Sequence, residues 1–287
     1  MSTQTAPEAA VRPPQVEPGT APPKKPRRIR SMAAAEFKQF LRNKTLLVMA
    51  ILLPIGLPVG LLVMTLESAE DGDELGVTVA STMEIFFMFT FVFAAFYTLV
   101  SMISTRRDER VLKRFRTGES SDREIVIALS SPAVVLILVL TVLVTGIMLG
   151  LTGTLPISPV PLLIALVGGT VVFIALAFMT SAFTKNAEAT QITSLPVVTI
   201  AAVGMTNIRS MLPEGTVHEV VSYSPMAAVA DLTHLGWAGQ PPYGDHGDPA
   251  TGMEVLTESI EPTLILLGWI VVSIGVAVAY FRWDPRN

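Results

Sequence analysis

The sequence predicts an all-α membrane protein with six transmembrane helices, an N-terminal amphipathic surface helix and a re-entrant helix pair before the last span. Three observations carry that fold class. The mean hydropathy is +0.56, and 15% of residues are charged, against about 25% in soluble domains. Six apolar stretches approach the roughly 20 residues that a helix needs to cross a hydrocarbon core of about 30 Å. Nineteen of the twenty Lys and Arg residues fall on one side of the map these stretches define, with Arg209 as the exception.

Loops that stay on the cytoplasmic side keep their Lys and Arg. The N-terminus, residues 106–124, the turn at Lys185 and the C-terminus are therefore expected inside a cell membrane, giving a multi-pass chain with both termini cytoplasmic. The net charge of -4 hides this division, because acids cluster on the other side, as in Glu67, Glu70, Asp71, Asp73 and Glu74. With no cysteine, disulfides, thiolate metal sites and a Cys nucleophile are excluded.

Residues 1–30 form a Pro-rich basic tail with too few large apolar groups to offset the entropy of ordering, so disorder is expected there. Its cluster from Lys24 to Arg30 answers to anionic membrane lipid and not to nucleic acid. No secretory signal is expected, because a long polar region precedes the first apolar run and that run is a full span. The transmembrane domain is expected over residues 31–287. It opens on an amphipathic helix from Ser31 to Lys44, with Met32, Phe37, Phe40 and Leu41 on one side and Lys38 and Arg42 opposite. Glu36 projects close to Phe40, inside the apolar sector. It either pairs with a base of residues 106–123 or reaches back to water.

The first span, Thr45 to Leu66, contains Pro54 and Pro58, each of which removes a backbone hydrogen bond and predicts a hinge. The second, Ile85 to Ser104, carries Phe86, Phe87, Phe89, Phe91, Phe93 and Phe96, while Thr90, Tyr97, Ser101 and Ser104 recur at helical spacing. Phe86, Phe89, Thr90, Phe93, Tyr97 and Ser101 are the candidates for lining a pathway. The alternative is that the hydroxyls bond their own helix and the rings pack against lipid.

Residues 106–124 read RRDERVLKRFRTGESSDRE. They support a short helix whose stripe of Val111, Leu112 and Phe115 is surrounded by Arg110, Lys113, Arg114 and Arg116. A solvated connector has no need of that Phe; an apolar knob entering an acid-rimmed cleft of another protein does. The competing use is a positive loop lying on lipid heads.

Three further spans are expected at Ile125–Leu151, Pro161–Phe183 and Gln191–Thr206. The last of these is short and holds a third hinge candidate, Pro196. Residues 207–260 form the extracellular re-entrant region. There Val217, Val220 and Val221, then Met226, Val229, Leu232 and Leu235, predict two short helices broken at Tyr223-Ser224-Pro225 and dipping into the outer leaflet. An exposed loop follows from Gly236 to Gly252, and the final span runs from Thr263 to Phe281.

The chain lacks a phosphate-cradling G-x-x-x-x-G-K-[ST] loop, so no ATP hydrolysis and no cofactor are expected in it, and any energy source must lie in a separate subunit. His218-Glu219 opens an H-E-x-x-H pattern, but Ser222 stands where the second imidazole belongs, too few ligands for zinc. No His lies in the six spans to activate a serine, so no catalytic or metal residues are assigned.

This order of elements resembles the membrane subunit of ABC-2 type exporters, over roughly Ser31 to Arg282. The family's R-E-x-G-T-L-x-x-L-R-x-T-P segment is similar to the run from Arg107 to Glu119, with Leu112 and Phe115-Arg116 in register, although Arg110 and Glu119 stand where the family has Gly and Pro. Ser181 to Gln191 resembles its S-x-x-x-x-x-x-E-x-x-Q turn, and Ser224-Pro225-Met226 to Asp231 its S-P-L-x-x-x-x-D segment. The resemblance implies a permease of the drug and natural-product efflux type, moving an amphipathic or hydrophobic cargo outward. It implies pairing with a second permease copy or paralogue and with two copies of a separate ABC ATP-binding subunit, which holds Mg-ATP. Arg107, Glu109, Val111, Leu112, Phe115 and Arg116 would couple to that subunit, with Glu36, Phe37 and Phe40 on the surface helix. Two other classes compete: a membrane assembly or sensing factor without transport, and an intramembrane enzyme, which would need a clustered polar site that the spans lack.

Overall fold

The computed structural model describes residues 25–68, 75–109, 121–186, 188–213, 215–242 and 249–281. Among the described residues every regular element is helical. Helices α1 (Lys25–Arg42) and α2 (Lys44–Ser68) meet at Asn43. Helix α3 (Leu75–Asp108) contains a π-helical segment, Thr90–Tyr97. Helices α4 (Asp122–Thr152) and α5 (Pro159–Phe183) follow, then α6 (Thr190–Val203) and the single turn α7 (Thr206–Arg209). The chain closes with α8 (Thr216–Ser222), α9 (Pro225–Ala238), α10 (Met253–Glu258) and α11 (Ile260–Tyr280).

Among the described residues, five helical runs are long and apolar enough to cross a membrane: Leu47–Glu67, α3, α4, α5 and Met253–Tyr280. The fifth of the six apolar stretches, α6, is a helix of 14 residues, shorter than the roughly 20 a crossing takes. It stops at Val203, before the expected Thr206, because α9 passes directly over Gly204. A Cβ at Gly204 would overlap the Oγ of Ser224, and that oxygen caps α9 by accepting the Ala227 N–H at 3.2 Å.

Burial sorts the helices into a centre and a rim. Of its most apolar window, α3 has 67% of residues buried, against 22% for α2 and for α4 and 11% for the last run. The rim exposes Val142 on α4 (75%) and Val278 on α11 (79%), a pattern that costs little only where the surrounding medium is hydrocarbon. Phe91 of α3 lies against Gly169 of α5 so closely that any Cβ there would overlap its ring. Gly169→Ala is therefore expected to destabilise the fold by about 1–3 kcal/mol through overpacking, read as a lower thermal midpoint in detergent. An unchanged midpoint would show that this contact is loose.

Several boundaries differ from expectation. The basic residues from Lys25 to Arg30 are already helical and continuous with α1, so the expected disordered tail is cut short, and residues 1–24 lie outside the described residues. α1 rests on α4, with Glu36 and Phe40 buried and Phe37 half-buried. Pro54 and Pro58 are accommodated inside an uninterrupted α2, and Pro196 sits exposed within α6.

The break between α8 and α9 falls at Tyr223 and Ser224. Every residue of α9 except Asp231 is buried, against α3, α5 and α11. A helix apolar and buried all round belongs among other helices, so α9 faces protein where an outer-leaflet contact was expected. Gly236, Trp237 and Ala238 complete this buried helix and its C-cap Gly239 is buried as well, which moves the start of the predicted exposed loop past Gly239. Residues 243–248 of that loop lie outside the described residues.

Candidate functional site

From Val79 to Ser104, α3 is buried at every position except Ser81, Ile85, Phe89, Phe93, Tyr97, Ser101 and Met102. All but the last recur at intervals of four. In an α-helix of 3.6 residues per turn, a step of four overshoots a full turn by about 40°, and repeated steps would wind the line to the opposite side of the helix. The π segment turns more slowly per residue, since its hydrogen bonds reach one residue further, and takes that drift back. Thr98 Oγ1 covers the exit of the segment by donating to the Phe93 carbonyl at 2.7 Å. The outcome is one accessible line along an otherwise buried span.

The line is aromatic in the middle. Phe89 and Phe93 stack with ring centroids 5.8 Å apart, and Phe93 meets Tyr97 at 6.5 Å. Of the pathway candidates, Phe89, Phe93, Tyr97 and Ser101 lie on it. Phe86 and Thr90 do not: both are fully buried, with Phe86 packed beside Phe87, which stacks on Phe91 at 5.3 Å, as Phe91 does on Phe173 at 5.6 Å. These rings fill the protein interior on the side of α3 turned away from the line.

At one end the line opens into a cleft of about 790 Å³ between α1, the start of α2 and the end of α3, with Lys38, Arg42 and Lys44 facing Ser101 and Thr105. Two successive arginines fasten this end of α3. Arg106 donates to Glu36 Oε2 at 2.7 Å and also to Gln39 of α1, so the buried Glu36 carboxylate is partnered. Arg107 is fully buried and turned the other way, donating to the Ser181 carbonyl at 2.9 Å and to the Thr184 carbonyl. It thereby caps the C-terminus of α5, where carbonyls lack helical partners and a cation is favoured. Arg107 holds helices together within the chain; the outward-facing contact expected of it is not available to a side chain in that position. Glu109 is half-exposed and 3.9 Å from Arg106.

Residues 110–120, with Val111, Leu112, Phe115 and Arg116, lie outside the described residues. The far side of that stretch is anchored by a capping box: Ser121 Oγ accepts the Glu124 N–H at 3.4 Å, and Glu124 Oε2 accepts the Ser121 N–H at 2.8 Å.

The opposite end of α3 carries a buried polar cluster. Glu84 accepts the Thr206 N–H at 2.6 Å and contacts His234 Nε2 at 3.1 Å. Beside it Arg209, 2% exposed, grips Asp231 through contacts of 2.5 and 3.4 Å. Burial pushes the Asp231 carboxyl above its ordinary pKa, and the Arg209 guanidinium opposes that rise.

A family model for the ABC-2 type transporter matches residues 27–232, the stretch from α1 into α9. The chain belongs to the ABC-2 type transporter family. No curated protein matches it. It is therefore a multi-pass membrane component of a transporter.

In this ABC-2 transporter the sequence singled out Glu36, Asp231 and the exceptional Arg209, but not the partners that complete their sites. Glu84 and His234 are 150 positions apart, and no local pattern joins them. The available signal was Glu84 itself, because an ionisable group in an apolar span needs a named partner.

Proposed function

We propose that this chain is the permease subunit of an ATP-driven exporter in the cytoplasmic membrane, carrying an amphipathic or hydrophobic cargo out of the cell along the accessible line of α3. The observation that supports this best is the line itself: a buried central span that keeps one file, from Ser81 to Ser101, only half-buried, with rings at Phe89, Phe93 and Tyr97 and a π segment that aligns it. Residues held in such irregular helix are often functional.

In this scheme α6 is a short fifth span, α8 and α9 form the re-entrant pair, and both termini face the cytoplasm. Two permease copies, or one and a paralogue, face each other across the lines. Two copies of a separate ATP-binding subunit hold Mg-ATP and engage Val111, Leu112, Phe115 and Arg116, flanked by Glu109. Arg106 and Arg107 then serve as the linkage. Because they tie the root of that segment to α1 and α5, a push on the segment is delivered to both helices and to the end of the α3 line. Pro54, Pro58 and Pro196 are the hinges at which α2 and α6 yield.

Phe115→Asp places a charge on the apolar knob and is expected to abolish co-purification of the ATP-binding subunit while leaving the permease folded. Equal recovery of that subunit with wild type and variant would remove the coupling role. Drug-, peptide- or lipid-stimulated ATPase activity of the reconstituted complex then reports the cargo.

A further inference from the structure

We infer that the cleft at the inner end of the α3 line receives the anionic headgroup of an amphiphile, whose apolar body lies along Tyr97, Phe93 and Phe89. The inference rests on the permease reading above, and adds to it the charge of the cargo and the place where it is first held.

The cleft, at about 790 Å³, falls in the range of small-molecule sites, roughly 300–1,000 Å³. Its charge is one-sided. Arg106 is occupied by Glu36, whereas among the described residues no carboxylate stands at ion-pair distance from Lys38, Arg42 or Lys44. Three cations therefore line one cleft with no carboxylate of the described residues at ion-pair distance, so a phosphate or carboxylate gains there and an ammonium loses. The hydroxyls of Ser101 and Thr105 on the facing wall can donate to an anionic oxygen. Ser101 belongs both to the cleft and to the line, one step of four from Tyr97, so the site passes directly from cations and hydroxyls to stacked rings. A basic loop lying on lipid heads needs neither the concavity nor this passage.

The chain contains no cysteine, so Ser101→Cys puts a single thiol on the cleft wall. Full-length protein carrying it, in phosphatidylcholine nanodiscs, is labelled with an uncharged maleimide in the presence of dodecyl phosphate, dodecyltrimethylammonium, dodecyl maltoside or inorganic phosphate. Dodecyl phosphate alone is expected to slow labelling. Adding Lys38→Gln and Arg42→Gln removes two membrane-surface charges and should raise its half-protecting concentration about 30-fold. Both side chains are exposed, so the thermal midpoint should not move. Thr105→Cys repeats the measurement from the neighbouring turn should Ser101→Cys fold poorly.

Equal protection by the ammonium or the maltoside, or no effect of the double substitution, would overturn the anionic assignment. Equal protection by inorganic phosphate would remove the amphiphile. If phosphatidylglycerol in the disc protects as well as dodecyl phosphate, the cleft is a resident lipid site and the cargo assignment is wrong. None of these arms uses the ATP-binding subunit, so a failure here and a failure to recover that subunit are separate results.

Discussion

Arg209→Ala is expected to lower the unfolding free energy by about 3 kcal/mol, the low end of the range for removing one partner of a buried ion pair, since Arg209 is buried while Asp231 keeps 24% of its side chain exposed. The loss arises less from the missing attraction than from Asp231, left with a carboxylate that burial already disfavours. Arg209→Ala with Asp231→Ala should therefore cost less than the sum of the single substitutions, because the pair acts as a unit.

The pH dependence of the Arg209→Ala variant follows from the direction of the Asp231 shift. Its folded carboxyl titrates above the unfolded one, and further above once the guanidinium is gone. Between the two values the native state binds more protons than the unfolded state, so stability rises as pH falls through the raised value. Denaturation in detergent across that window tests this. Wild-type stability in Arg209→Ala, or a loss that deepens on acidification, would show that the pair is not the fastener described.

Arg107→Ala is expected to cost about 3 kcal/mol or more, since it removes two hydrogen bonds from a charged donor at about 1.5–3 kcal/mol each and uncaps α5. Its functional effect should exceed its effect on stability. With α5 released from the root of residues 110–120, the ATP-binding subunit should still bind, because Phe115 is untouched, yet cargo should no longer stimulate its ATPase. Arg107→Lys supplies the charge without the fork that reaches two carbonyls and should restore stability in part and coupling hardly at all. Normal stimulation in Arg107→Ala would place the linkage elsewhere.

How far the site was legible depended on how local its cause is. The amphipathic side of α1, the break at Ser224-Pro225 and the capping box at Ser121 are set by neighbours a few residues apart, so periodicity and cap chemistry found the first two and could have found the third. The line along α3 was half-visible. Rings and hydroxyls stood out by type, which brought in Phe86, and a plain helical count put Thr90 on the same side as Tyr97. The π segment changes the rotation per residue, and no spacing rule anticipates it. Arg107 was placed at the partner contact by its match to the family's basic segment. It turns inward because the end of α5 offers unpaired carbonyls, and that end is 74 residues further along the chain.

The sequence by itself determined the medium and the presence of spans, since these follow from how many apolar residues run together, and it set the expected sidedness through where Lys and Arg are left over. Only the tertiary structure decided which span lies at the centre, which of its faces stays open, and which buried charges meet. Those outcomes depend on packing between segments far apart in the chain, where the cost of an unpaired charge or an overlapping atom is settled by what the other helix brings.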